Sequence, residues 1–388
     1  MKIRVLIIHE FYSKNDGSSV ALRGYLHDNK DIDYLVLARN VHSEDIKIKE
    51  IGCYNDVEEI LRSEKFDVIH NFRLKGYTLF RWVLRSMKKL DLNIKIVTTI
   101  NQRPSFVKCL LSPKEIEHTS VIIFIDNTAK KDSLLSFIPE YRKKCIYYCT
   151  SRMDLFNLYY IKRKKVHKHG SHVIFGRGSS VDKCPRDMID NFNAIPYKDK
   201  EFRIVGVPED SWVMGNAAGI DNIKCIPYLS LEDWYEELMK FDVYLYQIPE
   251  NSHSSLDSTL GAAMLMGIPV VYYGAEAPKE RLKHGINSFV ADRKEKIAEY
   301  CEMLAQDIDL RIKIGENGHQ SNLKQFNWVN TVNSYNSIYS SNKNYRPIKV
   351  PLKYKLFFFR TSWRYYFEQE LSYICQSRLY QYIRKHLF

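Results

Sequence analysis

The sequence lacks any apolar run long enough to cross a bilayer: the longest, Val121–Ile125, falls far short of the ~20 residues a spanning helix needs. Glycine and proline are scarce, at 16 and 12 of 388 residues, and no low-complexity tract is present, which excludes the collagen-like and disordered classes. The cysteines, at positions 53, 109, 145, 149, 184, 225, 301 and 375, show neither a paired framework nor C-x2-C zinc spacing, and read as reduced structural thiols. The opening MKIRVLIIHEF is followed by polar SKNDGSS with no small-residue cleavage site, so a buried first strand of a cytoplasmic protein is expected.

What is present points to a sizeable globular chain. At 388 residues it exceeds the ~250–300 at which one hydrophobic core stops growing, so two domains are expected. The net charge of +12 is concentrated: residues 341–388 carry ten Lys/Arg against two acidic residues, and Ile161–Lys168 carries five more basic residues. Two local surfaces, not a general polyanion-binding fold, hold the excess.

Short β-branched or apolar runs at 3–8, 33–37, 67–70, 94–98 and 120–125 alternate with helix-length amphipathic segments. A second series follows at 172–176, 202–206, 223–226, 242–246 and 268–274. The class is therefore α/β: two doubly wound, Rossmann-like domains of parallel sheet covered by helices, with ligands beyond the carboxyl ends of the strands. The expected divisions are 1–156, a basic linker at 157–171, a second domain at 172–325, a segment at 326–340 and a basic aromatic extension at 341–388.

Some motifs carry possible chemistry. Arg177 and Lys183, six residues apart on a loop leaving the strand that ends at Gly176, can place two cations on a diphosphate; they can equally be solvated loop charges. Ser254, Ser255, Leu256, Asp257 and Ser258 lie at the start of a helix running to Met266, where Ser254 and Asp257 fit a capping box and free backbone N–H groups suit phosphate. Asp16, Gly17 and Ser18 follow the first strand, as an ordinary turn or as a small-residue loop that lets a ligand approach the backbone.

The run AAMLMGIPVVYYG at 262–274 resembles the signature of retaining, nucleotide-sugar-dependent group 1 glycosyltransferases of the GT-B architecture. FDVIH (66–70), VTTIN (97–101), SRMDLF (151–156), FGRGSSVDK (175–183), RIVG (203–206), FDVYLY (241–246), KHGINSFV (283–290) and FNW (326–328) resemble further family landmarks, in family order. The resemblance covers residues 1 to about 340. It implies an N-terminal acceptor domain and a C-terminal nucleotide-sugar domain facing across a cleft, with a helix at 326–340 returning to the first. It also implies that Arg177 and Lys183 neutralise the leaving diphosphate, and that Gly17, Gly176 and Glu280 lie near the donor.

The sequence departs from the family in places. Ser254 and Ala262 stand at the two positions where relatives carry paired glutamates, and Ala262 cannot accept a hydrogen bond from ribose. Glu250, His253 or Asp257 could replace the sugar contact, although Asp257 could be a simple helix cap. Asn101 replaces a histidine that contacts sugar oxygens; an amide donates a hydrogen bond but shuttles no proton. Cys184 stands where a glycine is usual. His70 would face the cleft if the pattern holds, or serve as a satisfied structural residue. No D-x-D motif lies between the domains in the context of a metal-dependent transferase, so no metal and no cofactor beyond the donor are expected.

The expected activity is transfer of a sugar from a nucleotide diphosphate sugar to an acceptor hydroxyl, with retention, in assembly of a cell-surface glycan or glycolipid. The alternative is a catalytically silent GT-B protein that binds a partner or glycan. Residues 342–388 mix thirteen aromatics with the basic residues, which suits an anionic membrane surface and a lipid-linked acceptor, or a helix packed on the core with its cations reaching solvent. No nucleic-acid-binding module accompanies this segment, and nucleic acid is not an expected partner.

Overall fold

The computed structural model describes residues 2–12, 17–41, 46–73, 78–101, 110–147, 153–178, 180–252, 257–341 and 346–361. The chain divides into two compact units, Met1–Tyr147 with Thr331–Phe388, and Tyr148–Asn330.

The first unit contains β1 (Ile3–Ile8), β2 (Phe11–Tyr12), β3 (Ile32–Ala38), β4 (Asn40–Val41), β5 (Ile48–Glu50), β6 (Val68–Arg73), β7 (Lys95–Ile100), β8 (Val121–Phe124) and β9 (Lys143–Cys145). Seven of them form a parallel sheet in the order β5-β3-β1-β6-β7-β8-β9, while β2 pairs with β4. Val5, Leu6, Ile7 and Ile8 are all buried, as expected of a central parallel strand covered on both faces. β1 and β6 are neighbours although β3 and β5 extend the sheet in the opposite direction, which makes their carboxyl ends the switch point of the unit.

The second unit repeats the scheme with β10 (Val173–Gly178), β11 (Lys200–Val205), β12 (Ile223–Ile226), β13 (Val243–Gln247), β14 (Val270–Tyr273) and β15 (Phe289–Val290), in the order β12-β11-β10-β13-β14-β15. Here the switch point lies between β10 and β13. The helix Ser258–Leu265 ends through Met266 into Gly267, whose φ of 69° is the left-handed conformation that glycine adopts without a Cβ penalty. That turn delivers Ile268 and Pro269 to the start of β14.

The segment expected as a basic linker, 157–171, is instead helical as far as Val166, within the helix Met153–Val166. Its inward residues hold it to the second unit. Tyr160 stacks on His319 with ring centroids 3.6 Å apart, and Arg163 is buried and donates to the carbonyl of Phe241 at 2.8 Å. A mixed run of Lys, Arg and Tyr hid this periodicity, because long basic side chains occupy the outer face while their neighbours pack.

In its described part the extension at 341–388 follows the second of its two expected forms, a segment packed on the core. It is not free of the fold: Ile348, Val350, Tyr354 and Phe358 join the core beside Ile100, Leu110, Ile116 and Phe124. Residues 362–388 lie outside the described residues. The helix Trp328–Ser340 packs Tyr335 and Tyr339 into the first unit, and Lys95 Nζ donates to the Ser341 carbonyl at 2.8 Å, satisfying an orphan carbonyl beyond its end. Among the described residues no helix is long and apolar enough to cross a membrane.

Candidate functional site

The carboxyl end of β10, the turn after it and the start of helix Ser258–Leu265 bring Arg177, Lys183 and Asp257 together. Phe175, Gly176, Arg177 and Gly178 continue β10 because alternating residues fill opposite faces of the sheet. Gly176 is required by packing, since a Cβ there would sit 1.9 Å from the Phe241 ring. Thus Gly176 shapes the strand that carries Arg177, and its close neighbour is a phenylalanine of the same unit.

Arg177 is fully buried. Its Nη1 donates to Cys184 Sγ at 2.8 Å and to Met188 Sδ at 3.3 Å, and Nη2 donates to the Lys183 carbonyl at 3.0 Å. The guanidinium lies over the Tyr246 ring, 5.5 Å from its centroid. No carboxylate hydrogen-bonds to it among the described residues, and its Nε has no partner there. Burial raises the Cys184 thiol above its ordinary pKa despite the neighbouring Arg177, so the sulfur stays neutral and cannot cancel the cation. Cys184 is therefore a direct support of Arg177.

Lys183 Nζ donates to Asp257 Oδ2 at 2.8 Å; the lysine side chain is 30% exposed, the aspartate 3%. The other carboxylate oxygen, Oδ1, accepts from Thr259 N at 3.0 Å and from Thr259 Oγ1 at 2.8 Å. Asp257 is the N-cap of the helix, which begins at Ser258, and so takes the capping role that the sequence pattern assigned to Ser254. Burial pushes the Asp257 pKa up, but the charge and hydrogen bond of Lys183 and the Thr259 hydroxyl outweigh it, and the group is held well below the usual carboxylate range.

The tyrosines that frame this group were not recognised as site residues. Tyr244 and Tyr246 stack at 5.7 Å, and Tyr272 of β14 continues the ladder at 5.8 Å from Tyr246. The Tyr244 hydroxyl donates to the Gly178 carbonyl at 2.9 Å, fixing the end of β10. Their i, i+2 spacing in DVYLY was the available signal, since it puts both rings on one face of the strand.

The other expected residues fall elsewhere. Glu250 is exposed and accepts from the Tyr273 hydroxyl at 2.7 Å. Glu280 is half-buried at the end of the short helix Glu276–Lys279. Ala262 is buried in the helix interior. Asp16, His253, Ser254, Ser255 and Leu256 lie outside the described residues.

In the first unit, Gly17 begins the helix Gly17–Asp28, Ser18 is buried with Oγ 3.1 Å from His9 Nε2, and Asn101 is buried just beyond β7. His70 does not end its strand, which continues to Arg73. It is fully buried, with Nδ1 2.6 Å from the Tyr339 hydroxyl and Nε2 2.8 Å from the Thr99 hydroxyl. Burial alone lowers its pKa to about 3, so the ring is a neutral bridge between β6, β7 and the helix Trp328–Ser340. Both ring nitrogens thus have partners within the first unit, as the structural alternative for this residue expects.

One group of potential metal ligands occurs among the described residues: His167, His169 and Asp242. It lies before β10 and β13, at the amino ends of the strands, and Asp242 Oδ1 already accepts from the buried Arg311 at 3.0 Å. The cation of Arg311 occupies the electrostatic place that an ion would take.

Solved structures settle the architecture. HepE of Anabaena in complex with UDP and glucose superposes with a TM-score of 0.69 at 14% identity, over 87% of this chain and 100% of that one. The chain has the GT-B glycosyltransferase fold. A glycosyltransferase of Rickettsia africae matches at TM-score 0.66 and 14% identity, over 88% of this chain and 100% of that chain. Sucrose-phosphate synthase of Thermosynechococcus elongatus matches at TM-score 0.66 and 12% identity, over 87% and 98% of the two chains. No family model and no curated protein matches the sequence.

Proposed function

We propose that this protein is a glycosyltransferase that moves a sugar from a nucleotide diphosphate sugar to an acceptor hydroxyl, with retention and without a metal ion. The observation that carries the reading is the buried, carboxylate-free Arg177 beside the Lys183–Asp257 pair at the β10/β13 switch point. A buried cation with only sulfur and carbonyl partners is short of an anion, and a diphosphate supplies one.

In this reading Lys183, the more exposed of the two cations, exchanges Asp257 for the donor diphosphate. Negative charge grows on that diphosphate as the sugar bond breaks, and a fixed cation stabilises the transition state more than the ground state. Arg177 holds the Lys183 carbonyl and adds its charge from beneath the turn. With one-face chemistry the departing phosphate takes the acceptor proton, so no protein base is required. The neighbour HepE in complex with UDP-glucose makes a uridine donor the first to test. A cell-surface glycan or lipid-linked acceptor, on the cytoplasmic side, completes the proposal.

Thermal unfolding with UDP-, GDP-, ADP- and dTDP-sugars tests it, because a ligand at a hundred times its Kd stabilises by ~2.7 kcal/mol. Stabilisation by one donor, followed by its hydrolysis or transfer, is expected. Stabilisation without turnover of the donor would replace the enzyme with a nucleotide-binding scaffold protein, and no stabilisation by any donor would remove both.

A further inference from the structure

The helix at 352–361 is packed into the core through one face. Tyr354 and Phe358 are buried, and the Tyr354 hydroxyl donates to the Leu111 carbonyl at 2.7 Å. On the opposite side Leu352, Leu356 and Phe359 are 69%, 60% and 68% exposed. Their i, i+4, i+7 spacing makes one continuous apolar stripe. At about 100° per residue, Lys355 borders the stripe on one side and Lys353 and Arg360 border it on the other. All three cations are exposed, as are Arg346 and Lys349 just before the helix; residues 346–361 contain no acidic residue, and Lys355 is paired with Glu117 of the same unit at 3.3 Å.

We propose that this outer face of helix 352–361 docks the protein on an anionic lipid surface. An apolar stripe flanked by the cations Lys353 and Arg360, with Arg346 and Lys349 just before the helix, matches the layering of such a surface: rings and leucines reach acyl-chain depth while Lys and Arg stay at the headgroups. The inner face is fixed in the core, so the helix pays no folding entropy on binding, unlike a free amphipathic peptide. A second copy of the chain is a poorer occupant, since two chains of net charge +12 would bring basic rims together. The face belongs to the first unit, whereas Arg177, Lys183 and Asp257 belong to the second, so the inference does not depend on sugar transfer.

Flotation of the full chain with phosphatidylcholine vesicles, with and without phosphatidylglycerol, tests the proposal without any nucleotide. The chain is expected to float with anionic vesicles at low salt and to be released at high salt. Each basic residue at such a surface is worth about fivefold in partitioning, so Lys353→Gln with Arg360→Gln should weaken binding by about 25-fold. Leu356→Glu and Phe359→Glu should abolish it, with melting temperature unchanged because both side chains are exposed. If either fails to fold, Leu352→Ser and Phe359→Ser are the milder forms, and tenfold weaker binding is expected. Absence of flotation at low salt, equal flotation of the stripe variants, or equal binding to neutral vesicles would overturn the inference. So would a concentration-dependent dimer in sedimentation equilibrium that the same variants dissociate.

Discussion

Lys183 and Asp257 form an ion pair in which one oxygen of the carboxylate holds the lysine at 2.8 Å while the other caps the helix Ser258–Leu265 through Thr259. A single buried aspartate thus ties the cation after β10 to the helix after β13, and any anion that takes Lys183 must compete with it.

That pairing predicts a non-additive mutant cycle. Lys183→Ala strands a carboxylate that is only 3% exposed and should cost about 1–3 kcal/mol. Asp257→Asn keeps a good N-cap residue and should cost less. The double variant should recover part of the loss, with a coupling energy of about 0.5–3 kcal/mol measured by urea unfolding. Strict additivity would mean that the pair contributes nothing.

For the donor site, Arg177→Met is more informative than Arg177→Ala. Methionine fills the space between Cys184 and Met188 without leaving a cavity, and removing a buried cation that lacks a carboxylate should leave the melting temperature at or above that of the wild type. Nucleotide binding should weaken by about 10-fold, as the turn that presents Lys183 loses the charge beneath it, read by calorimetric titration. Unchanged affinity would release Arg177 from the donor site.

Turnover should survive a chelator. Two cations and a helix N-terminus meet the phosphate charge in the proposed site, so EDTA is expected to leave the rate nearly unchanged. A loss restored by manganese or magnesium would contradict the metal-independent reading.

His70 should make stability pH-dependent in one direction. Its folded pKa, near 3, lies below the ordinary 6.5, so between these values the unfolded chain binds a proton that the folded chain does not. The contribution is complete above pH 6.5 and is lost as pH falls toward 3, with a slope approaching ~1.4 kcal/mol per pH unit. His70→Gln should flatten the unfolding profile by that amount relative to the wild type. An equal slope in both proteins would show that the ring titrates normally.

The two parallel sheets were legible in the sequence because buried parallel strands are near-continuous apolar runs, such as Val5–Ile8 and Val121–Phe124, whose composition alone separates them from the amphipathic helices between. The short strands Ile48–Glu50 and Lys143–Cys145 were not, since polar edge strands of three residues carry no period. Arg177 and Lys183 could be singled out by residue type and spacing, and Asp257 by its place before a helix. That Lys183 is already paired and that Asp257 joins both roles depend on residues more than seventy positions apart meeting at one switch point, while the sulfur around Arg177 depends on the turn after β10 folding Cys184 and Met188 back onto it. The same holds for His70, whose two nitrogens are satisfied by Thr99 and Tyr339, and for the tail, where Tyr354 and Phe358 pack while Leu356 and Phe359 do not. Local pattern determines which element forms; which face is covered, and what a charge meets there, is decided only when distant segments close over it.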